Sequence, residues 1–219
     1  MIAPMVPAPS PSKPPLRTLA AIFAVATWSG FFVMSVELLG GRILAPQFGN
    51  SIYVWGGVIT VFMLGLSLGY LAGGQYSLLR PSLGRLAGLQ LLAAAALVPV
   101  LLAGSRVLDV LFDRIEDPRT GSIAACIALF LVPTLLSGMV SPYAVRLLVN
   151  EARTSGRLSG LLFFCSTFGS AAGTLLTSFW LVLVLEINQI LLGLVLGSVV
   201  VSGSAWLLGR TRDTAASPA

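Results

Sequence analysis

The sequence predicts an all-α polytopic membrane protein with six transmembrane helices, and three observations carry that prediction. Of 219 residues, 56% are hydrophobic and only 10% are charged, against about 25% charged in a typical soluble domain. The mean hydropathy is +0.94. The apolar residues also gather into six runs, each near the ~20 residues that cross about 30 Å of hydrocarbon. A chain of this length has enough residues for a core in water, so what it lacks is polar surface. No run alternates like a strand, and an open sheet edge in lipid would leave backbone groups unpaired.

The elements follow in order. Met1–Pro15 holds six prolines ahead of the first apolar run, unlike the short basic region of a cleavable signal. A disordered, Pro-rich cytoplasmic tail is expected there, with a polyproline ligand as the sharper alternative. The first span is Leu16–Leu39, and Pro46, Gly49 and Asn50 are expected to break the helix after it. Ile52–Ala72 follows, opened by Tyr53 and Trp55 as interfacial aromatics. The third span is Leu83–Ala103. Beyond it, Val107, Leu108, Val110, Leu111 and Ile115 are interleaved with Asp109, Asp113, Glu116 and Asp117. That pattern reads as a surface-lying amphipathic helix, or as an acidic patch that gathers cations. Gly121–Val145 and Leu158–Leu185 are the fourth and fifth spans. Glu186, Asn188 and Gln189 mark a tight turn into the sixth, Ile187–Leu208, and residues 209–219 are expected to be a tail.

Lys and Arg set the orientation. Nine lie on the side that holds both termini and four on the other, so the positive-inside rule puts both termini in the cytoplasm. The net charge of +5 is a topology signal, and no basic cluster is dense enough to suggest nucleic acid.

Chemistry is limited by what is missing. The chain has no histidine, which excludes an axial-His haem, a His-ligated zinc hydrolase and a Ser-His-Asp triad. Cys126 and Cys165 both fall inside spans and are expected to pack rather than bridge or bind metal. No phosphate-binding Gly loop is present, so no cofactor, metal or catalytic residue is expected.

Among the polar residues in apolar surroundings, Glu37 stands out, because an ionisable group near hydrocarbon is a functional candidate by default. Arg42, five residues on, is its expected partner, with Gly40 and Gly41 able to bend the helix between them. The pair is either a site for a cationic or proton-coupled ligand, or a structural ion pair that pins the first helix. Gly65, Gly69 and Gly73 recur every four residues in the second span, as Gly169 and Gly173 do in the fifth. Small residues on one face let helices approach closely in a bilayer. These stripes fall in corresponding helices of two three-helix halves. Gly40, Gly41, Arg42 and Pro46 near the end of the first span have a counterpart in Gly138, Pro142 and Arg146 near the end of the fourth. Two such units of opposite orientation form a 3+3 inverted repeat, the plan of many transporters.

Two blocks carry a family resemblance. Glu37 through Ser51 reads ELLGGRILAPQFGNS, followed by Tyr53-Val54-Trp55 and by the run from Gly65 to Gly74, GLSLGYLAGG. The second block joins Gly138-Met139-Val140-Ser141-Pro142 to Gly156, Gly160 and the run from Ser166 to Thr174. Together they resemble the membrane domain of transmembrane spermidine synthase-like proteins, across essentially all six spans. The resemblance implies half of a major-facilitator-type transporter fold, often fused to a cytoplasmic aminopropyltransferase-like Rossmann domain. Only a short tail follows Leu208 here, so catalysis is expected from another chain.

The expected role is therefore a membrane-embedded subunit or anchor of a spermidine synthase-like system. A soluble partner would dock where Arg80, Arg85, Arg146, Arg153 and Arg157 cluster. One alternative is a small-molecule transporter or transporter half, with a cationic or polyamine substrate and dimerisation among its implications. Another is an accessory subunit of a larger membrane complex. The expected location is a bacterial inner membrane.

Overall fold

The computed structural model describes residues 15–79, 81–149 and 152–215, with the side chains of 152–154 and 211–215 outside that description. Among the described residues there is no strand, and six helical segments are long and apolar enough to cross a membrane. The helices are α1 (Leu16–Phe48), α2 (Ile52–Tyr76), α3 (Leu83–Arg114), α4 (Pro118–Gly138), α5 (Val140–Leu148) and α6 (Ala152–Leu176). A π-helical segment, Thr177–Leu181, then leads through α7 (Val182–Val184) to α8 (Ile187–Ala215). α4 and α5 together form the fourth span, Pro118–Leu148, and Ser155–Val184 forms the fifth. The chain is an integral membrane protein. The predicted tail falls outside the described residues except for Pro15, which caps α1.

Several helices run past their predicted ends, α1, α3 and α8 the furthest. α1 continues through Gly40 and Gly41 and ends at Gly49, whose φ of 77° breaks the helix. The two glycines are held in helix by packing, Gly40 against the Phe130 ring and Gly41 against Trp55. Pro46 sits near the helix end, where the hydrogen bond it omits costs least. The expected surface-lying helix after the third span is instead the last part of α3. Leu108 stays in phase with the core and is 2% exposed, while Phe112 packs edge-on against Phe48 at 5.8 Å. At the other end of the chain, α8 takes in residues 209–215.

The α4–α5 junction has a local cause. Pro142 has no N–H for the Gly138 carbonyl, and its ring crowds that carbonyl, so the helix is interrupted at Met139 while its backbone stays in the right-handed region.

Close approaches define the topology. A Cβ on Gly69 would fall on the Leu135 carbonyl oxygen, and one on Gly73 would meet the Met139 backbone at 2.6 Å. These contacts set α2 parallel to α4. Likewise, a Cβ on Gly169 would fall on the Thr27 carbonyl oxygen and one on Gly173 on that of Phe31, setting α6 parallel to α1. α3 and α8 run antiparallel, with Gly84 against Trp206 and Gln90 bonded to Ser198. α1 crosses the fourth span antiparallel, with Gly121 facing Phe48 and Ser29 bonded to Ser137. One apolar cluster, around Phe32, Leu39, Phe62, Leu97 and Phe130, fills much of the bundle. A second, around Ile22, Leu86, Tyr143 and Leu162, fills the end near the termini. There the Ser82 N–H donates to the Tyr143 hydroxyl at 3.1 Å, while the Ser82 hydroxyl caps α3 by accepting from the Arg85 N–H.

Candidate functional site

The small residues that bring helices together also leave a polar void between them. Where α1, α2, α4, α5 and α6 converge, Ser29, Gly30, Ser137 and Gly138 border a cavity of about 60 Å³. Leu66 and Tyr70 of α2 and Ser166 and Ser170 of α6 close its sides, with Ser141 of α5 and Val33 and Met34 of α1. Its polar lining residues are serines and Tyr70, with no charged side chain.

Two of these hydroxyls donate to the backbone. Ser29 donates to the Ser137 carbonyl at 3.3 Å, and Ser170 to the Ser166 carbonyl at 3.1 Å. The Ser137 hydroxyl is buried with no partner. A buried polar group without a hydrogen bond is costly, and a void this size is large enough for water. The arrangement can hold water or a small cation among oxygens.

Glu37 lies on the same helix face. Steps of three and four residues carry Gly30 to Met34, Glu37 and Gly41, one stripe of α1. Glu37 is partly buried, and among the described residues no hydrogen bond or ion pair reaches it. The expected pairing with Arg42 is not formed. Arg42 is exposed and lines a separate cavity at the end of the bundle away from the termini. The reason is angular: five residues advance an unbroken helix by about 500°, which puts the two side chains on different faces.

A second polar knot holds α3 to α8 and α1. Gln90, fully buried, donates from Nε2 to the Ser198 hydroxyl at 3.3 Å. Trp28 Nε1 donates to the same oxygen at 2.8 Å, and Ser198 donates in turn to the Leu194 carbonyl. The Gln90 Oε1 is left unpartnered. Sequence reasoning passed over Gln90, although a lone amide within an apolar run is a usable signal.

The glycines singled out from sequence lie at helix contacts: Gly65 faces Thr134, and Gly69, Gly73, Gly169 and Gly173 occupy the backbone approaches described above. Of the arginines, Arg85, Arg146 and Arg157 are exposed at the end of the bundle near the termini. Arg85 is engaged locally, donating to the Leu79 carbonyl and lying 5.8 Å from the Tyr76 ring centre. Arg80 and the Arg153 side chain lie outside the described residues. Cys126 is buried and Cys165 half-buried, both as free thiols. Comparison with family models, with curated proteins and with solved structures finds no match.

Proposed function

We propose that this chain is a six-helix inverted-repeat unit, half of a transporter-type fold, which works with a second copy to move a small cationic solute across a bacterial inner membrane. The observation that carries the reading is a register. A shift of 108 takes Thr27, Ser29, Gly30 and Phe31 of α1 onto Leu135, Ser137, Gly138 and Met139 of the fourth span. A shift of 100 takes Leu66, Gly69 and Gly73 of α2 onto Ser166, Gly169 and Gly173 of α6. Three of the close approaches then have counterparts. Gly69 on Leu135 becomes Gly169 on Thr27, Gly73 on Met139 becomes Gly173 on Phe31, and Gly138 on Leu66 becomes Gly30 on Ser166. Gln90 and Ser198 are also 108 apart and touch each other, as Ser29 and Ser137 do. Self-matching contacts of this kind support a pseudo-two-fold relation between the halves, with the small cavity at their interface. Transporter sites built on inverted repeats lie at that repeat interface near the bilayer midplane.

Under this reading Glu37 gives the substrate path its negative charge. It stands about 12 Å along α1 from Ser29, at 1.5 Å per residue. Positive-inside counting puts both termini in the cytoplasm. The test is uptake of labelled spermidine and putrescine into proteoliposomes holding the full chain under an imposed potential. Uptake that is saturable and lost in Glu37→Gln supports the reading. Absence of uptake for every cation tried, at verified incorporation, would sink it.

A second reading has its own observation. At the end of the bundle near the termini Arg17, Arg85, Arg146 and Arg157 are exposed. A cationic face of this kind suits docking of a spermidine synthase-like soluble subunit. Co-purification of such a protein, released by charge reversal at Arg146 and Arg157, would favour it.

A further inference from the structure

At the end of the bundle away from the termini, α1, α3 and the start of α8 enclose a cavity of about 450 Å³, within the size range of small-molecule sites. Its floor is apolar, with Val100, Leu101, Leu108 and Leu191. Its rim carries two opposite charges, Arg42 from α1 and Glu186 from the turn before α8. Among the described residues neither side chain has an ion pair or hydrogen bond. Both side chains are exposed and open to an occupant.

Gln47 also lines this cavity, and its Nε2 is committed to Asp109 at 3.0 Å while its Oε1 is buried with no partner. Local capping does not consume these groups, because the α8 start is served by Gln189, whose Oε1 accepts from the Glu186 N–H at 3.0 Å.

We infer that this cavity binds a zwitterionic group, with its phosphate or carboxylate on Arg42 and its ammonium on Glu186. A planar guanidinium suits an oxyanion, and a carboxylate suits an ammonium. The same chemistry is offered by a zwitterionic phospholipid headgroup from the bilayer and by a soluble amino acid or phosphoethanolamine. The site shares no residue with the small serine-lined cavity, so it stands or falls separately from the transport reading.

The test uses delipidated full-length protein in detergent. It is titrated separately with phosphatidylethanolamine, phosphatidylglycerol, O-phosphoethanolamine and glycine, and bound ligand is read by native mass spectrometry. Saturable one-to-one binding of a zwitterion is expected, weakened about tenfold by Arg42→Gln and about tenfold by Glu186→Gln, the scale of one charge-assisted hydrogen bond. Binding by the lipid alone identifies the bilayer as the source, and binding by the free compounds identifies a soluble ligand. Both substituted side chains are exposed, so an unchanged melting curve accompanies the loss. Glu186→Lys should reverse the preference toward phosphatidylglycerol. Equal affinity for phosphatidylethanolamine and phosphatidylglycerol in the unmodified protein, indifference to both neutral substitutions, or no binding of any zwitterion would overturn the inference.

Discussion

The Ser29 hydroxyl donates to the Ser137 carbonyl oxygen across 3.3 Å, and the residue after each serine is a glycine pressed against a third helix. Gly30 meets Ser166 of α6, and Gly138 meets Leu66 of α2. Four helices are thus held at one level by two small dipeptides. In a bilayer, where lipid tails are as apolar as side chains, such contacts gain from dispersion between closely fitted backbones.

The first prediction concerns these approaches. Gly169→Leu places a side chain on the Thr27 carbonyl and should lower stability by about 1–3 kcal/mol or more, the scale of overpacking. Gly160→Leu is the control, since nothing lies within 4 Å of a Cβ there. Thermal unfolding in detergent should separate the two clearly. Equal melting temperatures would show that the α1–α6 contact is not a stability determinant.

Ser198 is the hub of the second polar knot. Ser198→Ala leaves the Trp28 and Gln90 donors without their acceptor and should cost about 1–3 kcal/mol per buried group left unsatisfied. Gln90→Leu removes both the donor and the orphaned Oε1, so its cost should be smaller. Comparing the two melting curves checks the order.

Glu37→Gln separates function from structure. The carboxylate has no partner among the described residues, and a partly buried charge without one destabilises a fold. Neutralising it should leave the melting temperature unchanged or raised while abolishing cation uptake. A marked loss of stability would instead restore the structural role weighed from the sequence.

Asp117 gives a pH dependence at the start of α4. Hydrogen bonding from the Thr120 hydroxyl, then from the Arg119 N–H, holds its carboxyl below the ordinary Asp value. A carboxyl depressed in the folded state contributes stability that is fully present above its unfolded pKa. That contribution disappears as pH falls through the folded value, below about 4. The melting difference between the wild type and Asp117→Ala should therefore be constant near neutrality and shrink only in that acidic window. A difference that shrinks between pH 6 and 8 would assign the cap to another group.

Much of the candidate site was hidden in the sequence for a definite reason. Serines in Gly-rich membrane helices are common packing residues, and nothing local separates Ser137, left with a buried orphan hydroxyl, from Ser67, which bonds its own helix at Met63. Glu37 was visible because charge in hydrocarbon is rare. Its pairing with Arg42 was misjudged because that pairing assumed a bend at Gly40 and Gly41, where α1 runs unbroken.

The sequence by itself determined the all-helical, six-span architecture, because the thickness of hydrocarbon and the cost of unpaired backbone leave a chain this apolar little else. The spacing of its glycines also marked which faces could come close. Only the tertiary structure decided which helices meet there, at what register, and which polar atoms are left without partners. Those outcomes depend on contacts between residues about a hundred positions apart, and helix periodicity carries no information about them.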